Sequence, residues 1–289
     1  MYTITGVTGH VGGAAARALL ERGAPVRVVV RSAEKGAPWA DRGAEVAVAD
    51  LDDPVALAEL LRGSDGAFVL LPTLPTGGDA EHRRMAGSIS EAVAAAGVPH
   101  VVALSSLGAE LAEGTGPIRW LHHLETGLGA GGAVVTVLRC CHFQEKVETV
   151  LGAVLGAGIY PVFGESADVP TPMVATHDIG EVVARSLLAP PASSEVIDVL
   201  GPTSTEREVA DLLAEALGRP LQLVTIPREA WVPSMLDAGL PDALAREFAA
   251  LYEAEARGLL QPQGDRTVHG TTPLRDTLHR VLAAQVTAA

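Results

Sequence analysis

The chain has 289 residues, 48% of them hydrophobic, and its 21 basic and 35 acidic residues give a formal net charge of −14. This acidic balance argues against nucleic acid or an anionic membrane as a main partner, because both bind basic patches. No basic segment followed by an apolar stretch opens the chain, and no apolar run approaches about 18 residues. We therefore expect a cytoplasmic protein without a signal peptide or membrane span.

The most informative pattern lies at the start of the chain, where a short strand, a glycine-rich turn and a helix follow one another. Glycine permits a tight turn, a close approach to a bulky anion and close helix–strand packing. Amide groups at the start of the helix then point at a pyrophosphate. An ordinary turn that needs small residues is the alternative. The pattern predicts a dinucleotide site formed by Gly6, Thr8, Gly9, His10, Val11 and Gly12.

The end of the second predicted strand, residues 25–31, indicates which dinucleotide is bound. An acidic residue at this position holds the ribose 2′-hydroxyl of NAD, whereas an arginine accommodates the 2′-phosphate of NADP. This chain has Arg31 and Ser32, with Lys35 close behind. We expect NADP(H) to be preferred, with NAD(H) as the second choice. The alternative is that both cations are solvated surface charges.

Later strands are predicted over residues 45–49, 67–72, 100–106 and 133–139, each followed by a short connection. Ligands of such sheets lie outside the carboxyl ends of the strands. Asp50 and Leu51 are therefore expected beside the adenine, and Leu71 and Pro72 beside the middle of the cofactor. Ser105 ends the fifth strand and is expected at the cofactor and in catalysis.

The alternation of strand and helix predicts an α/β fold with a Rossmann-type, doubly wound parallel sheet. We expect residues 1–157 to form this domain, with a strand at 195–200 rejoining its sheet. Residues 158–289 are expected to form a smaller substrate-binding lobe, mainly helical after residue 226. The adjacent Cys140 and Cys141 indicate two small buried hydrophobic residues and no metal site.

Five motifs in chain order resemble the NmrA-like family of atypical short-chain dehydrogenases/reductases. They are residues 6–12, 31–35, 50–51, 122–125 together with 136–139, and 172–180. This family includes NAD(P)H:quinone oxidoreductases and redox-sensing regulators. The resemblance implies a Rossmann domain, a small carboxyl-terminal substrate lobe and NADP or NAD across the strand ends.

Two departures from related enzymes bear on the chemistry. Ordinary short-chain dehydrogenases use a Tyr-x-x-x-Lys pair, which this chain lacks: its tyrosines are Tyr2, Tyr160 and Tyr252, and its lysines are Lys35 and Lys146. NmrA-like chains also commonly show Arg-Pro and then an aromatic-Met-Glu-Asn run after the sixth strand. Here that segment is residues 139–146, with the sequence Arg-Cys-Cys-His-Phe-Gln-Glu-Lys.

Without that pair, His122 and His123 are the predicted proton donors, since histidine titrates near neutral pH. Consecutive helical residues point about 100° apart, so at most one of the two faces the cleft. The alternative is that both histidines are structural. The residues expected to contact the substrate are Ser106, His142, Phe143 and Met173.

Three functions are compatible with these features. The first is an NAD(P)H-dependent oxidoreductase that transfers hydride to a small polarised acceptor such as a quinone, enone or imine. The second is a non-catalytic, redox-sensing regulator that binds the dinucleotide and a protein partner. The third retains the cofactor but performs non-redox chemistry. We favour the first, with a small molecule as partner.

Overall fold

The computed structural model describes residues 1–288 and contains the following elements. The strands are β1 (Tyr2–Ile4), β2 (Val26–Val30), β3 (Glu45–Val48), β4 (Gly66–Val69), β5 (His100–Ser106), β6 (Val134–Cys140), β7 (His142–Phe143), β8 (Ile159–Phe163), β9 (Thr171–Val174), β10 (Glu195–Leu200), β11 (Thr203–Ser204), β12 (Gln222–Ile226) and β13 (Arg266–His269). The α-helices are α1 (His10–Glu21), α2 (Ala33–Ala40), α3 (Pro54–Leu61), α4 (Asp79–Ala96), α5 (Ile118–Gly129), α6 (Leu151–Ala157), α7 (Thr176–Leu188), α8 (Glu206–Leu217), α9 (Trp231–Asp237), α10 (Asp242–Ala256) and α11 (Leu274–Ala288). Two 3₁₀ helices span Gln144–Val150 and Arg228–Ala230.

The central sheet has eight parallel strands in the order β13-β10-β6-β5-β4-β1-β2-β3. The chain moves outwards from β1 through β2 to β3 and then returns to the other side of β1 as β4. This reversal opens a crevice at the carboxyl ends of β1 and β4, where ligands of doubly wound sheets bind. The predicted fold is thereby confirmed.

Successive side chains along each strand point to opposite faces of the sheet, and this alternation produces two separate hydrophobic cores. Val28, Phe68, Val102 and Leu138 pack with α1 and α7 on one face of the sheet. Neighbouring residues such as Val29, Val69, Val101 and Val137 pack with α3, α4 and α5 on the other face. Because both faces are covered, the strands are nearly continuous runs of apolar residues.

The second part of the chain contributes both to the sheet and to a separate lobe. β10 pairs with β6 and with β13, the outermost strand on that side. A three-stranded sheet (β11-β9-β7) and a two-stranded sheet (β12-β8) belong to the lobe, whose core includes Tyr160, Leu213 and Leu278. In the described residues 1–288, no helix is both long and apolar enough to cross a membrane.

Two local expectations were wrong. Residues 266–269 form β13, a strand that was not predicted in a region expected to be mainly helical. This strand depends on pairing with the distant β10, which short-range patterns do not report. The sequence after Phe143 also predicts one helix through Leu155, but this segment is a 3₁₀ helix through Val150 followed by α6.

Candidate cofactor and active site

The glycine turn between β1 and α1 has the geometry that a pyrophosphate requires. Gly6 has φ +65°, a conformation that favours glycine, and its carbonyl accepts a hydrogen bond from the Gly9 amide at 3.0 Å. A Cβ atom on Gly12 would lie 2.5 Å from the Gly6 carbonyl oxygen, so only glycine lets α1 pack this closely on the turn. Thr8, Gly9 and His10 are exposed beside this turn.

The first turn of α1 offers its backbone amides to an anion, although the His10 side chain at its start is paired, with Nε2 2.9 Å from Oε2 of Glu148. The N-cap of α1 is Gly9, so no side chain caps the helix, and none of its first-turn residues is acidic. A Cβ atom on Gly9 would contact just the Gly6 carbonyl, at 3.4 Å, so the space beyond it is open. The unpaired amides and the helix dipole favour a phosphate at this position. These residues therefore fit the pyrophosphate of NAD(P)H.

Two cations are exposed at the end of β2. Arg31 and Lys35 make no hydrogen bond or ion pair with any side chain in residues 1–288, and Ser32 is the N-cap of α2. At the end of β3, Asp50 is exposed and Leu51 is half-buried. Leu71 lies buried after β4, next to the half-buried Pro72. The predicted cofactor residues thus follow the carboxyl ends of β1 to β4.

Buried charges surround the end of β5. The Ser105 hydroxyl donates to Oε1 of Glu125 at 2.5 Å. Arg139 donates to both oxygens of the same carboxylate, from Nε at 3.1 Å and from Nη2 at 2.6 Å. Its Nη1 lies 3.0 Å from Oε2 of Glu110, in the loop between β5 and α5. Burial alone would lower the pKa of Arg139, but Glu125, Glu110 and Asp198 raise it above its ordinary value.

The two predicted catalytic histidines point to different elements. His122 Nδ1 donates to the carbonyl of Ala109 at 2.9 Å, in the loop that follows β5. His123 Nε2 lies 3.1 Å from Oδ1 of Asp79, the first residue of α4. Burial opposes ionisation of Asp79, but His123, Arg83 and Arg119 lower its pKa. Of the pair, His122 is thus the one beside the end of β5.

A third histidine, His82 on α4, holds the loop that follows β4. Its Nε2 accepts a hydrogen bond from the Leu74 amide at 2.9 Å, and its Nδ1 donates to the Gly78 carbonyl at 2.6 Å. The ring is fully buried and stacks on Trp120, with a centroid separation of 3.5 Å. Burial lowers the pKa of His82 despite the nearby carboxylates. The neutral ring therefore secures one wall of the crevice.

The predicted substrate residues differ in exposure and in their partners. His142 Nε2 lies 2.9 Å from Oε1 of Glu255 on α10, and Phe143 is half-buried beside it. The Ser106 hydroxyl donates to the Leu107 carbonyl at 3.2 Å. Met173, at 1% exposure, is instead packed in the core of the lobe, so its side chain offers no contact surface. Met173 is the strand partner of His142 across β7 and β9, but its side chain is buried and does not reach the surface.

The sequence does not by itself single out Arg139 and Glu110. The available signal is a charged residue at the end of the apolar run that forms β6. Such a residue is seldom buried without a partner. Glu110 lies in a glycine-rich loop whose path only the tertiary structure reveals.

Comparison with known proteins identifies the family. The family described as NAD(P)H-binding matches residues 6–190, which is more than half of the chain. The chain belongs to this NAD(P)H-binding family. The match extends from the glycine turn to the end of α7, so it includes every predicted cofactor residue.

Two curated relatives align over most of their length. An NAD(P)H azoreductase of Xenophilus azovorans is 29% identical over 254 residues, which cover 87% of this chain and 86% of the relative. A (4-alkanoyl-5-oxo-2,5-dihydrofuran-3-yl)methyl phosphate reductase of Streptomyces griseus is 30% identical over 260 residues, which cover 89% of this chain and 88% of the relative.

A solved structure with the same fold is the NADPH-dependent quinone oxidoreductase QOR2 of Escherichia coli in complex with NADPH. It superposes with a TM-score of 0.82 at 22% sequence identity, covering 98% of this chain and all of the other. Together with the family match, this confirms the predicted resemblance to NmrA-like, atypical short-chain dehydrogenases/reductases.

Proposed function

We propose that this protein is an NADPH-preferring reductase whose acceptor is a conjugated, electron-poor double bond in a small molecule. The broader class, an NAD(P)H-dependent oxidoreductase, is supported by the family match and by the names of both curated relatives. The acceptor class and the roles of individual residues are the proposal.

The observation that carries this proposal is the set of polar side chains on α5. His122 and Glu125 lie on the part of this helix that faces the end of β5 and the loop after it, and neither is the tyrosine or lysine that ordinary short-chain dehydrogenases use. Glu125 is an ion-paired carboxylate and is unsuited to donate a proton. A carbonyl of an ordinary ketone needs strong acid assistance during reduction. A conjugated acceptor spreads the incoming negative charge over its π system and therefore needs less acid assistance.

The names of the relatives agree with this reasoning. One reduces azo compounds, which contain an N=N bond. The other is named for a substrate with a dihydrofuran ring that carries oxo and alkanoyl groups. Azo groups and unsaturated carbonyl compounds share an electron-poor double bond. We therefore expect quinones, enones and azo compounds to be better acceptors than simple ketones.

Residues of this chain would bind the cofactor and assist the acceptor. The turn at Gly6 to Gly12 holds the pyrophosphate, and Arg31 with Lys35 holds the 2′-phosphate. When bound, NADPH supplies a hydride. His122 would stabilise the negative charge that develops on the acceptor, by donating from Nε2. Because Nδ1 donates to Ala109, this donation requires the imidazolium form of the ring.

The test is a comparison of acceptors with the purified protein. NADPH consumption is measured with a quinone, an enone, an azo dye and a simple ketone at equal concentrations. We expect consumption with at least one conjugated acceptor and none above background with the ketone. Turnover of the ketone alone would contradict the proposed acceptor class.

A further inference from the structure

The contacts of Ser105 define what its hydroxyl offers to a ligand. Ser105 is the penultimate residue of β5, at the carboxyl edge of the sheet, and is 3% exposed. Its one hydroxyl proton is directed at Oε1 of Glu125, 2.5 Å away. A serine hydroxyl has one proton and two lone pairs. The oxygen of Ser105 is therefore left with lone pairs only, and it can accept a hydrogen bond but not donate one.

Arg139 fixes this arrangement by binding the Glu125 carboxylate and holding it in place. Its guanidinium binds both oxygens of the Glu125 carboxylate, a geometry that adds direction as well as energy. An ionised carboxylate is an acceptor only, so it cannot return a proton to Ser105. Strand register places Ser105 directly beside Arg139 on the same face of the sheet. The three side chains are thus held by two strands and one helix.

We propose that Glu125 and Arg139 are positioning residues that orient Ser105 as a hydrogen-bond acceptor for the nicotinamide half of the dinucleotide. This inference rests on the proposed cofactor site. The ligand group is a hydrogen-bond donor, either the carboxamide N–H or a hydroxyl of the adjoining ribose. It changes the role expected of Ser105 from the sequence, since this serine holds the cofactor and supplies no proton to the acceptor.

The experiment measures binding, not turnover. Dissociation constants of NADP⁺ are determined by calorimetry for Ser105→Ala, Glu125→Gln and the double variant. Ser106→Ala is the matched control, because this neighbouring hydroxyl donates to the Leu107 carbonyl instead. Glu110→Gln controls for loss of a charge beside Arg139 without contact to Ser105. Ser105→Thr retains the hydroxyl and should restore binding.

One lost hydrogen bond should weaken NADP⁺ binding by about 3- to 10-fold in Ser105→Ala, with less than about 2-fold in Ser106→Ala. Glu125→Gln should weaken binding when Ser105 is present and have no further effect when combined with Ser105→Ala, because Glu125 acts through Ser105. Independent, additive losses would overturn the proposal, and so would unchanged affinity in Ser105→Ala. Ser105→Ala removes a single oxygen and should fold normally. The comparison of Ser105→Ala with Ser106→Ala therefore tests the proposal even if the Glu125 variant is unstable.

Two further ligands separate the alternatives. Affinity for 2′,5′-ADP, which lacks the nicotinamide half, should not change in Ser105→Ala; an equal loss there would show a structural effect and overturn the proposal. The 3-acetylpyridine analogue of NADP⁺ lacks the carboxamide N–H. A loss with NADP⁺ but not with this analogue identifies the carboxamide as the donor, and equal losses identify the ribose. Since no step requires turnover, absence of reductase activity would contradict the proposed function and leave this test standing.

Discussion

The two halves of the cofactor crevice differ in whether their polar groups already have partners within the protein. Beside β1 and β2, the glycine turn and the side chains of Arg31 and Lys35 are open, and these cations have no partner among residues 1–288. Beside β5 and β6, Ser105, Glu125 and Arg139 are largely buried and bind one another. Open groups gain their partners when a ligand arrives, whereas paired groups are already in place.

This difference suggests that the two halves have different roles in cofactor binding. The first half supplies affinity, because a phosphate that meets unpaired amides and cations forms strong, charge-assisted hydrogen bonds. The second half supplies geometry, because hydride transfer depends on a precise position of the nicotinamide. Changes in the first half should therefore lower cofactor affinity most, and changes in the second half should lower turnover, with smaller losses of affinity.

The largest effect is expected at the glycine turn. Gly9→Val places a branched side chain where the pyrophosphate approaches, so several phosphate contacts are lost together. We expect NADPH affinity to fall by about 100-fold or more, since each charged hydrogen bond contributes about 1.5–3 kcal/mol. Calorimetry measures the affinity and thermal melting checks the fold, which should survive.

Gly12→Ala is the informative counterpart of this variant. Its Cβ atom would lie 2.5 Å from the Gly6 carbonyl oxygen and 2.6 Å from that of Thr5, so α1 must move away from the turn. We expect a loss of unfolding free energy of about 1–3 kcal/mol, as for overpacked sites. For the Gly9→Val variant described above, unchanged NADPH affinity would show that the pyrophosphate binds elsewhere.

A comparably large effect is expected in the second half, but on turnover. His122→Phe removes the ring beside the end of β5, and kcat should fall by about 10²-fold, the low end for general acid catalysis. His123→Phe is the matched control, because its ring contacts Asp79 on α4. Steady-state kinetics with a verified acceptor measures both variants. Equal rates in wild type and both variants would mean that the two histidines are structural.

A selective effect is expected at the 2′-phosphate. Arg31→Ala should weaken NADPH binding by about 1.5–3 kcal/mol while leaving NADH nearly unchanged, because only NADPH carries this phosphate. Arg42→Ala is a suitable control, since its guanidinium lies over the Trp39 ring, 5.8 Å from the centroid. Equal losses for both cofactors, or a wild-type preference for NADH, would contradict the assignment of Arg31.

The smallest effect concerns stability and pH. His82 has an ordinary pKa of 6.5, and burial lowers this pKa in the folded protein. The unfolded chain therefore binds the proton more readily, so the contribution of His82 is present above about pH 6.5 and is lost as the pH falls below it. Thermal melting should show decreasing stability from pH 7 to pH 5.

The His82→Gln variant should have a smaller pH dependence in this range. Burial also lowers the pKa of His100, so part of the slope should remain until His100 is replaced as well. The same slope in wild type and in the double variant would show that other groups cause the acid sensitivity. Below this window, carboxylates such as Asp79, whose pKa is lowered, would add their own losses.

Much of the first half could be predicted from the sequence because its signals are local. The turn needs glycine at Gly6 and Gly12 for reasons of backbone conformation and close packing, and both reasons operate within a few residues. The end of β2 likewise follows directly from a run of valines. Doubly wound topology then places these segments at one edge of the sheet.

The second half could not be predicted in the same way, because its contacts join distant parts of the chain. Glu125 and Arg139 come from different elements, and their pairing depends on the strand register and on the face of α5 that packs on the sheet. The sequence leaves open which of His122 and His123 faces the end of β5. The pairing of β13 with β10 is a further long-range contact of this kind.

We expect NADPH bound across this crevice to transfer its hydride to a conjugated acceptor. The most direct measurement follows single-turnover oxidation of NADPH by a quinone, with and without deuterium at the transferred position of the dihydronicotinamide. We predict oxidation that requires the protein, is slowed by deuterium and is nearly abolished in Gly9→Val. Tight binding of NADPH without oxidation by any quinone, enone or azo compound would contradict this expectation and favour a regulator that senses the dinucleotide.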